Sequence, residues 1–586
     1  MKRRRTLGLT AIGAVTALLV AACGGSSGSS SGSSSSGSSN EAYNTGLTSV
    51  VNPSSQKGGT LTYDLSNTPD STDPGNTYYA FMWNFNRLYA QALMTYKSCP
   101  GTCGLQLVPR LATAPGVVGD NGLTWTYHIR SGVKFSNGQT VTSADVKYAV
   151  ERTFDRSVLP NGPSYFQVLL ADPTYPGPYK DKSATGLTSV TTPDATTIVF
   201  HLQHPFSDFN YVVAIPQTAP VPQASDTGAN YQLNVISTGP YKFQSYTLNK
   251  QLVLVPNKYW NAAEDPNAKQ LASKIVVNMN VNANDIDNRL LAGDISVNMA
   301  GTGVQAAARA KILSNPALKK DSDDGLSGFL WFGYINTKVA PLTNVACRRA
   351  IEYAADKTTL QTAYGGPIAG GDIASTVLTP AIIGYKKFDL YDALSKPGGD
   401  DAAAKAQLKL CGQPNGFSLN IGYRSDRPTD TAAAQALQSA LGAVGIKASL
   451  KGYPSGSYYS DFAGVPNYVH AHDLGIDMGG WAPDWPDGYG MLDEISNGNT
   501  IVPAGNTNIA ELNDPVINND FSKAAGLNNA TQRNAIWSQI DHQIMSDAGI
   551  LPAVYAKTLE YRNPNLTNVY LQPYYGMYNY AVLGTK

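Results

Sequence analysis

Polar and apolar positions alternate most cleanly between Gly119 and Asp155. Leu123, Trp125, Tyr127 and Ile129 interleave with Thr124, Thr126 and His128, the period of a half-buried strand. Ser131-Gly132 turns the chain, and Asn137-Gly138 signals a hairpin. Thr142, with Asp145 three residues on, reads as a helix N-cap with an acid in the first turn, and Val146, Val150 and Phe154 mark one helical face. The same reading predicts strands over 60–63, 197–202, 241–243, 251–255, 275–280, 328–336, 447–450 and 550–555. It predicts helices over 85–96, 348–355, 432–444 and 532–546. Strands and helices mix throughout and no repeat of 20–50 residues recurs, so the pattern predicts α/β lobes, not a solenoid. The 586 residues exceed what one core sustains, and two or three lobes are expected.

The N-terminus follows a different pattern. Lys2, Arg3, Arg4 and Arg5 precede a largely apolar run from Leu7 to Val20, and Val20-Ala21-Ala22 precedes Cys23. A basic patch, a short apolar segment and small residues before a cysteine describe a secretory signal over 1–22, too short for a membrane span. The arginine pairs leave both the general and the twin-arginine export routes open. Gly24 to Ser39 holds only Gly and Ser, a flexible coil with an r.m.s. reach of roughly 20–25 Å. The reading is a lipidated Cys23 with a tether over 23–56, holding a globular body at the extracellular face of the cell membrane.

Charge and cysteines narrow the chemistry. Lys and Arg number 43 and Asp and Glu 43, so nothing attracts nucleic acid broadly. Tyr (34) outnumbers Phe (15), which suits wet sheets and binding clefts. Beyond Cys23, the even count of Cys99, Cys103, Cys347 and Cys411 in an exported body predicts disulfides 99–103 and 347–411. The second closes a 64-residue loop (411 − 347), worth roughly 4 kcal/mol on the chain-entropy account.

Several ordered segments then point to a family. Gly122-Leu-Thr-Trp-Thr-Tyr-His-Ile-Arg-Ser-Gly-Val-Lys-Phe-Ser-Asn-Gly-Gln-Thr-Val-Thr-Ser-Ala-Asp-Val-Lys-Tyr-Ala-Val-Glu151 is followed by Ser237-Thr-Gly-Pro-Tyr241, Pro256-Asn-Lys-Tyr-Trp-Asn261, Ile335-Asn-Thr337, Arg348-Arg-Ala-Ile-Glu-Tyr-Ala-Ala-Asp-Lys357 and Gly480-Trp-Ala-Pro-Asp484. Together they resemble the family 5 extracellular solute-binding proteins that serve oligopeptide, dipeptide and nickel importers driven by ATP-binding cassettes. The resemblance implies a two-lobed, periplasmic-binding-protein-like α/β fold with a ligand cleft between the lobes. It implies lobe I over 57–90, 237–340 and 556–586, an extra subdomain inserted over 91–236, lobe III over 341–555, and hinges near Asn336 and Tyr555. It implies a monomer that binds a small solute, by default a peptide, and partners a permease and an ATPase. No cofactor, metal or catalysis is expected.

The resemblance also implies site residues. Asp484 would meet a peptide ammonium, Trp481 would wall a side-chain pocket and Tyr555 would face ligand near the hinge. Gly480 and Trp485 complete that segment, and Phe81 and Trp83 bring lobe I to the cleft. Competing signals are weaker. Gly301-Thr-Gly-Val-Gln-Ala306, with Asp323, imitates a dinucleotide fingerprint but lacks a βαβ context. His470, His472 and Asp473 suggest a metal only in passing. Asp484 and Asp487 resemble a glycosidase pair but share one proline-stiffened loop. An exported enzyme, a sugar binder and a surface adhesion or sensing protein stand as the alternatives. The lipid anchor is directly testable: wild type is expected in the detergent phase of a partitioning assay and Cys23→Ser in the aqueous phase. Equal aqueous partitioning of both would refute it.

Overall fold

The computed structural model describes residues 42–586, apart from 455 and 456. The signal segment, Cys23 and the Gly/Ser run lie outside the described residues. The packed body takes in residues before the expected start at 57: Gly46 N–H donates to Asp323 Oδ1 at 2.8 Å, and Val51 is buried in a bridge to Val569. No helix among the described residues is long and apolar enough to cross a membrane.

Three sheets organise the body. A five-stranded sheet runs in the order Val297–Asn298, Thr60–Asp64, Lys274–Asn278, Gln251–Pro256, Tyr241–Thr247. A four-stranded antiparallel sheet joins Val117–Gly119, Thr124–His128, Thr197–His201 and Val190–Asp194. A six-stranded sheet runs Gly371–Ile373, Ile550–Tyr561, Ser322–Ile335, Leu474–Trp481, Ser418–Arg424, Lys447–Tyr453. In the four-stranded sheet Trp125 and Tyr127 point into a core with Ile198 and Phe200, as the alternation predicts. The helix Ser143–Arg152 starts at a capping box, with Thr142 N–H donating to Asp145 Oδ2 at 2.7 Å. Both expected disulfides are formed. Cys347–Cys411 ties the helix Val345–Ala354 to the end of the helix Asp401–Leu410.

The expected helix over 85–96 is a correction. A helix spans Ala80–Asn86, and Met94–Tyr96 is a strand paired with Leu107–Pro109. The reason is tertiary. Arg110 donates to the carbonyls of Arg87 and Ala90, and the Tyr89 carbonyl accepts from Thr238 and Gly239 N–H. Those carbonyls are taken from the helical ladder, which stops.

The strands Ser322–Ile335 and Ile550–Tyr561 form a long antiparallel ladder whose register breaks between Leu326 and Leu330. Gly328 sits in that break with φ of +78°, a conformation side chains resist. Asn336 lies beyond it, fixed by Ile509 O and Glu511 Oε1.

Arg152 joins the inserted segment to the turn after the first strand. Its guanidinium bridges both Asp73 oxygens (3.2 and 2.7 Å), reaches Asp226 Oδ2 (3.1 Å) and lies over the Tyr231 ring. The side chain is fully buried. Arg152→Met is expected to lower stability by about 3–5 kcal/mol in urea unfolding, because it leaves buried carboxylates unpaired. Lys396→Met, which breaks exposed pairs with Asp392 and Asp400, should leave the urea midpoint nearly unchanged. Equal midpoints for the two variants would remove Arg152 from that role.

Candidate functional site

The strand Leu474–Trp481 runs parallel to Ser418–Arg424, and its carboxyl end delivers the loop 482–487. Crevices at the carboxyl ends of parallel strands are the usual place for ligands in such sheets. Asp484 N–H donates to Gly490 O at 3.1 Å, and Asp487 caps the helix Gly488–Ser496 by accepting from Tyr489 N–H at 2.8 Å. Pro483 and Pro486 restrict the backbone between these anchors.

Asp484 is buried, 7% exposed, and three tyrosines from separate parts of the chain converge on it. Tyr78 donates to Oδ2 at 2.8 Å, Tyr165 donates to the same oxygen, and Tyr574 donates to the Asp484 carbonyl at 2.8 Å. Oδ1 receives no donor among the described residues. Burial raises this carboxyl from 3.8 to about 7; the two hydroxyls pull it down, and Glu494 pushes it up. Asp493 is raised to about 7 and Glu494 is raised, both chiefly by burial. Among the described residues no Lys or Arg pairs with Asp484, Asp493 or Glu494. Among the described residues, the surroundings of Asp484 are therefore rich in carboxyls and poor in paired cations.

The other expected residues take varied places. Gly480 leaves room for two rings: a Cβ there would lie 2.2 Å from the Phe329 ring and 2.7 Å from that of Trp331. Trp481 is half-buried, and its Nε1 has no partner among the described residues. Trp485 is fully buried against the inserted segment, with Nε1 donating to Asp208 Oδ2 at 3.2 Å. The Tyr555 hydroxyl accepts from Ser375 and Thr376 N–H and bonds Thr376 Oγ1, so it braces the 374–378 segment. Phe81 and Trp83 are buried supports: Tyr79 stacks on Phe81 at 5.3 Å and Tyr78 on Trp83 at 5.6 Å. Above them Tyr79 is 48% exposed, and Tyr78 is 41% exposed although its hydroxyl reaches in to Asp484.

Sequence reasoning missed Tyr78, Tyr165 and Tyr574. The excess of Tyr over Phe was the only signal, and it carried no positions. The imitation fingerprint is resolved: Gly303 N–H meets Glu560 Oε1, and Asp323 accepts from Gly46 N–H and Tyr578 while pairing with Arg562. His470 meets Glu511 Oε1, and His472 stacks on Tyr468. No cluster of metal-ligating side chains occurs among the described residues.

Known proteins share this architecture. Residues 106–501 match the family described as bacterial extracellular solute-binding proteins, family 5 Middle. The chain is 24% identical over 495 residues to the probable D,D-dipeptide-binding periplasmic protein DdpA of Escherichia coli K12, covering 82% of this chain and 85% of that one. It is 24% identical over 477 residues to heme-binding protein A of Haemophilus influenzae, covering 78% and 80%. The solved structure of clavulanic acid biosynthesis oligopeptide binding protein 2 superposes with a TM-score of 0.90 at 38% identity, covering 93% of this chain and 99% of that one. Two lobes about a cleft, and a family match across most of the length, lead to one assignment: this chain belongs to the bacterial extracellular solute-binding proteins of family 5.

Proposed function

We propose that this protein captures a small solute carrying a free amine, most simply a peptide, and delivers it to an importer built from a permease and an ATPase. One observation carries the reading. Asp484 is a buried carboxyl with one oxygen held by tyrosine hydroxyls and, among the described residues, no donor to the other and no cation paired with it. Burying a charge without a partner is costly, and an ammonium relieves that cost by a charge-assisted hydrogen bond. Trp481, three residues before Asp484, is half-buried, and its Nε1, without a partner among the described residues, would serve as a donor for a solute carbonyl. Two of the three relatives named above, a dipeptide binder and an oligopeptide binder, support an amine ligand, whereas the third is named for heme. The signal segment, lipidated Cys23 and the lobe boundaries belong to the same proposal. Closure would bend the ladder where its register breaks, at 327–329 opposite Tyr555 to Lys557, which moves one hinge from Asn336 to Gly328.

The half-buried Trp481 ring supports a sugar as the second reading, since sugars stack on aromatic faces. Selection from a tripeptide library, read by mass spectrometry, supplies a ligand for calorimetry. For a peptide, Asp484→Ala is expected to weaken binding by about 2–5 kcal/mol. N-acetylation should hurt wild type far more than that variant. For an oligosaccharide, Trp481→Ala does the larger damage. Peptide affinity undiminished in Asp484→Ala would sink the amine anchor.

The raised carboxyl also sets a pH dependence. An ammonium needs the carboxylate form, which is depleted below about 7. Peptide affinity is expected to fall by up to about tenfold per pH unit below that point, and to be flat over the same range in Asp484→Asn. In the ligand-free protein the sign reverses. A carboxyl raised in the folded state contributes full stability below its unfolded value and loses it as pH rises towards about 7. Asp484→Asn should therefore melt higher than wild type at pH 8 and alike at pH 4. The same melting difference at both pH values would contradict that placement.

A further inference from the structure

The inserted segment reaches across to the loop that carries Asp484. Trp485, the next residue, is fully buried there. Its ring packs edge-on to Tyr165 (5.1 Å) and Phe206 (6.1 Å) and stacks with Tyr211 (6.3 Å), all three from the inserted segment. Its indole N–H donates to Asp208 Oδ2 at 3.2 Å. Beside it, Arg533 Nη2 lies 3.2 Å from Asp208 Oδ1, and Arg533 Nε lies 3.7 Å from Asp487 Oδ2. Asp208 and Asp487 are each 2% exposed. Ser207 completes the contact, its N–H and Oγ both donating to Ala525 O, at 2.8 and 2.9 Å.

We propose that the inserted subdomain is a working part of the solute site: it positions Asp484 through a clasp in which Trp485 is the wedge and Asp208, Asp487 and Arg533 form the polar lock. The proposal rests on Asp484 being the solute anchor. Three observations support it. Trp485 and Asp484 are adjacent, so the wedge fixes the backbone of the anchor. Tyr165 touches both, with its ring on Trp485 and its hydroxyl on Asp484. The clasp also joins segments more than 270 residues apart, as the Trp485–Asp208 bond shows, so covalent proximity does not impose it.

The lock carries its own signature. Two carboxyls and one guanidinium in a dry contact leave one negative charge over. Burial and the neighbouring acid raise Asp208, burial raises Asp487, and Arg533 pulls both down. Tyr211 and Tyr489, the other titratable groups facing the pair, are pushed up by burial and neighbouring carboxyls and stay neutral. One carboxyl therefore keeps a proton while the surfaces are docked. Undocking restores ordinary acidity, and that proton leaves. Docking takes up a proton, so it weakens as pH rises, by up to about tenfold per unit.

Amide hydrogen exchange on the ligand-free full chain tests this without knowing the solute. The Ser207 N–H bond to Ala525 reports docking directly, within a peptide covering 203–210. The expected result is exchange in wild type that rises with pH relative to Asp208→Asn between about pH 5.5 and 8, by up to about tenfold per unit. Asp487→Asn, which keeps the helix cap, should abolish the pH dependence in the same way and guards against a folding defect in the first variant. Trp485→Ala should raise exchange in 203–210 and in 481–490 together. A constant ratio of wild type to both Asn variants across this range overturns the lock. Unchanged protection in Trp485→Ala overturns the wedge. Because no solute is present, either failure is separable from a failure of the peptide reading, which calorimetry decides.

Discussion

A carboxyl group buried at the meeting point of three parts of the chain governs this structure. Moving a carboxylate out of water costs several kcal/mol unless partners replace the water. Asp484 receives hydroxyls from Tyr78 and Tyr165, and its backbone carbonyl receives Tyr574. Those tyrosines come from the start of the body, the inserted segment and the C-terminal end. Satisfying one acid thus requires all three to come together around the loop after Leu474–Trp481. Phe81 and Trp83 serve the same end indirectly, by stacking under Tyr79 and Tyr78. The neighbouring acids Asp493 and Glu494 are also raised by burial, and Glu494 pushes Asp484 further up.

Much of the fold was legible because local pattern and tertiary demand agree there. Trp125 and Tyr127 alternate with threonines and point into one core, and Thr142 with Asp145 forms the box their spacing predicts. The disulfides followed from an even count of cysteines. Local pattern failed where distant groups took over the backbone. The segment after Asn86 has helical spacing, yet Arg110, Thr238 and Gly239 hold its carbonyls. No window of sequence around residue 90 contains those donors. Tertiary override of propensity is the physical reason for the error.

The site was legible in part for a related reason. The loop 480–487 stands out through its Trp, Pro and Asp residues, and the resemblance singled out Asp484 within it. The tyrosines that meet it are scattered from residue 78 to residue 574, and nothing local marks them among 34. Trp485 and Tyr555 look alike in sequence as aromatic ligand candidates. The structure gives each a fixed partner instead, Asp208 for one and Thr376 for the other. A polar handle on a large ring serves either a ligand or an internal brace, and only three-dimensional context separates the two uses.

The burial of Trp485 and the cost of burying its neighbour Asp484 are comparable in size, and on the proposed reading that balance bears on how a binding protein closes. Burying a Trp ring of about 200 Å² contributes up to roughly 5 kcal/mol at about 25 cal/mol per Å². Holding Asp484 at a value of about 7 rather than 3.8 costs up to about 4 kcal/mol near neutral pH, at 1.36 kcal/mol per unit. Closure without solute then gains little net free energy from this pair of residues. A ligand shifts such an equilibrium only by its difference in affinity between the two states. On the proposed reading, an ammonium on the Asp484 oxygen that has no donor among the described residues would remove most of the carboxyl's cost in the closed state and far less in an open, wet one. The proposed wedge would then bring closure near balance, and the charge of the solute would decide it.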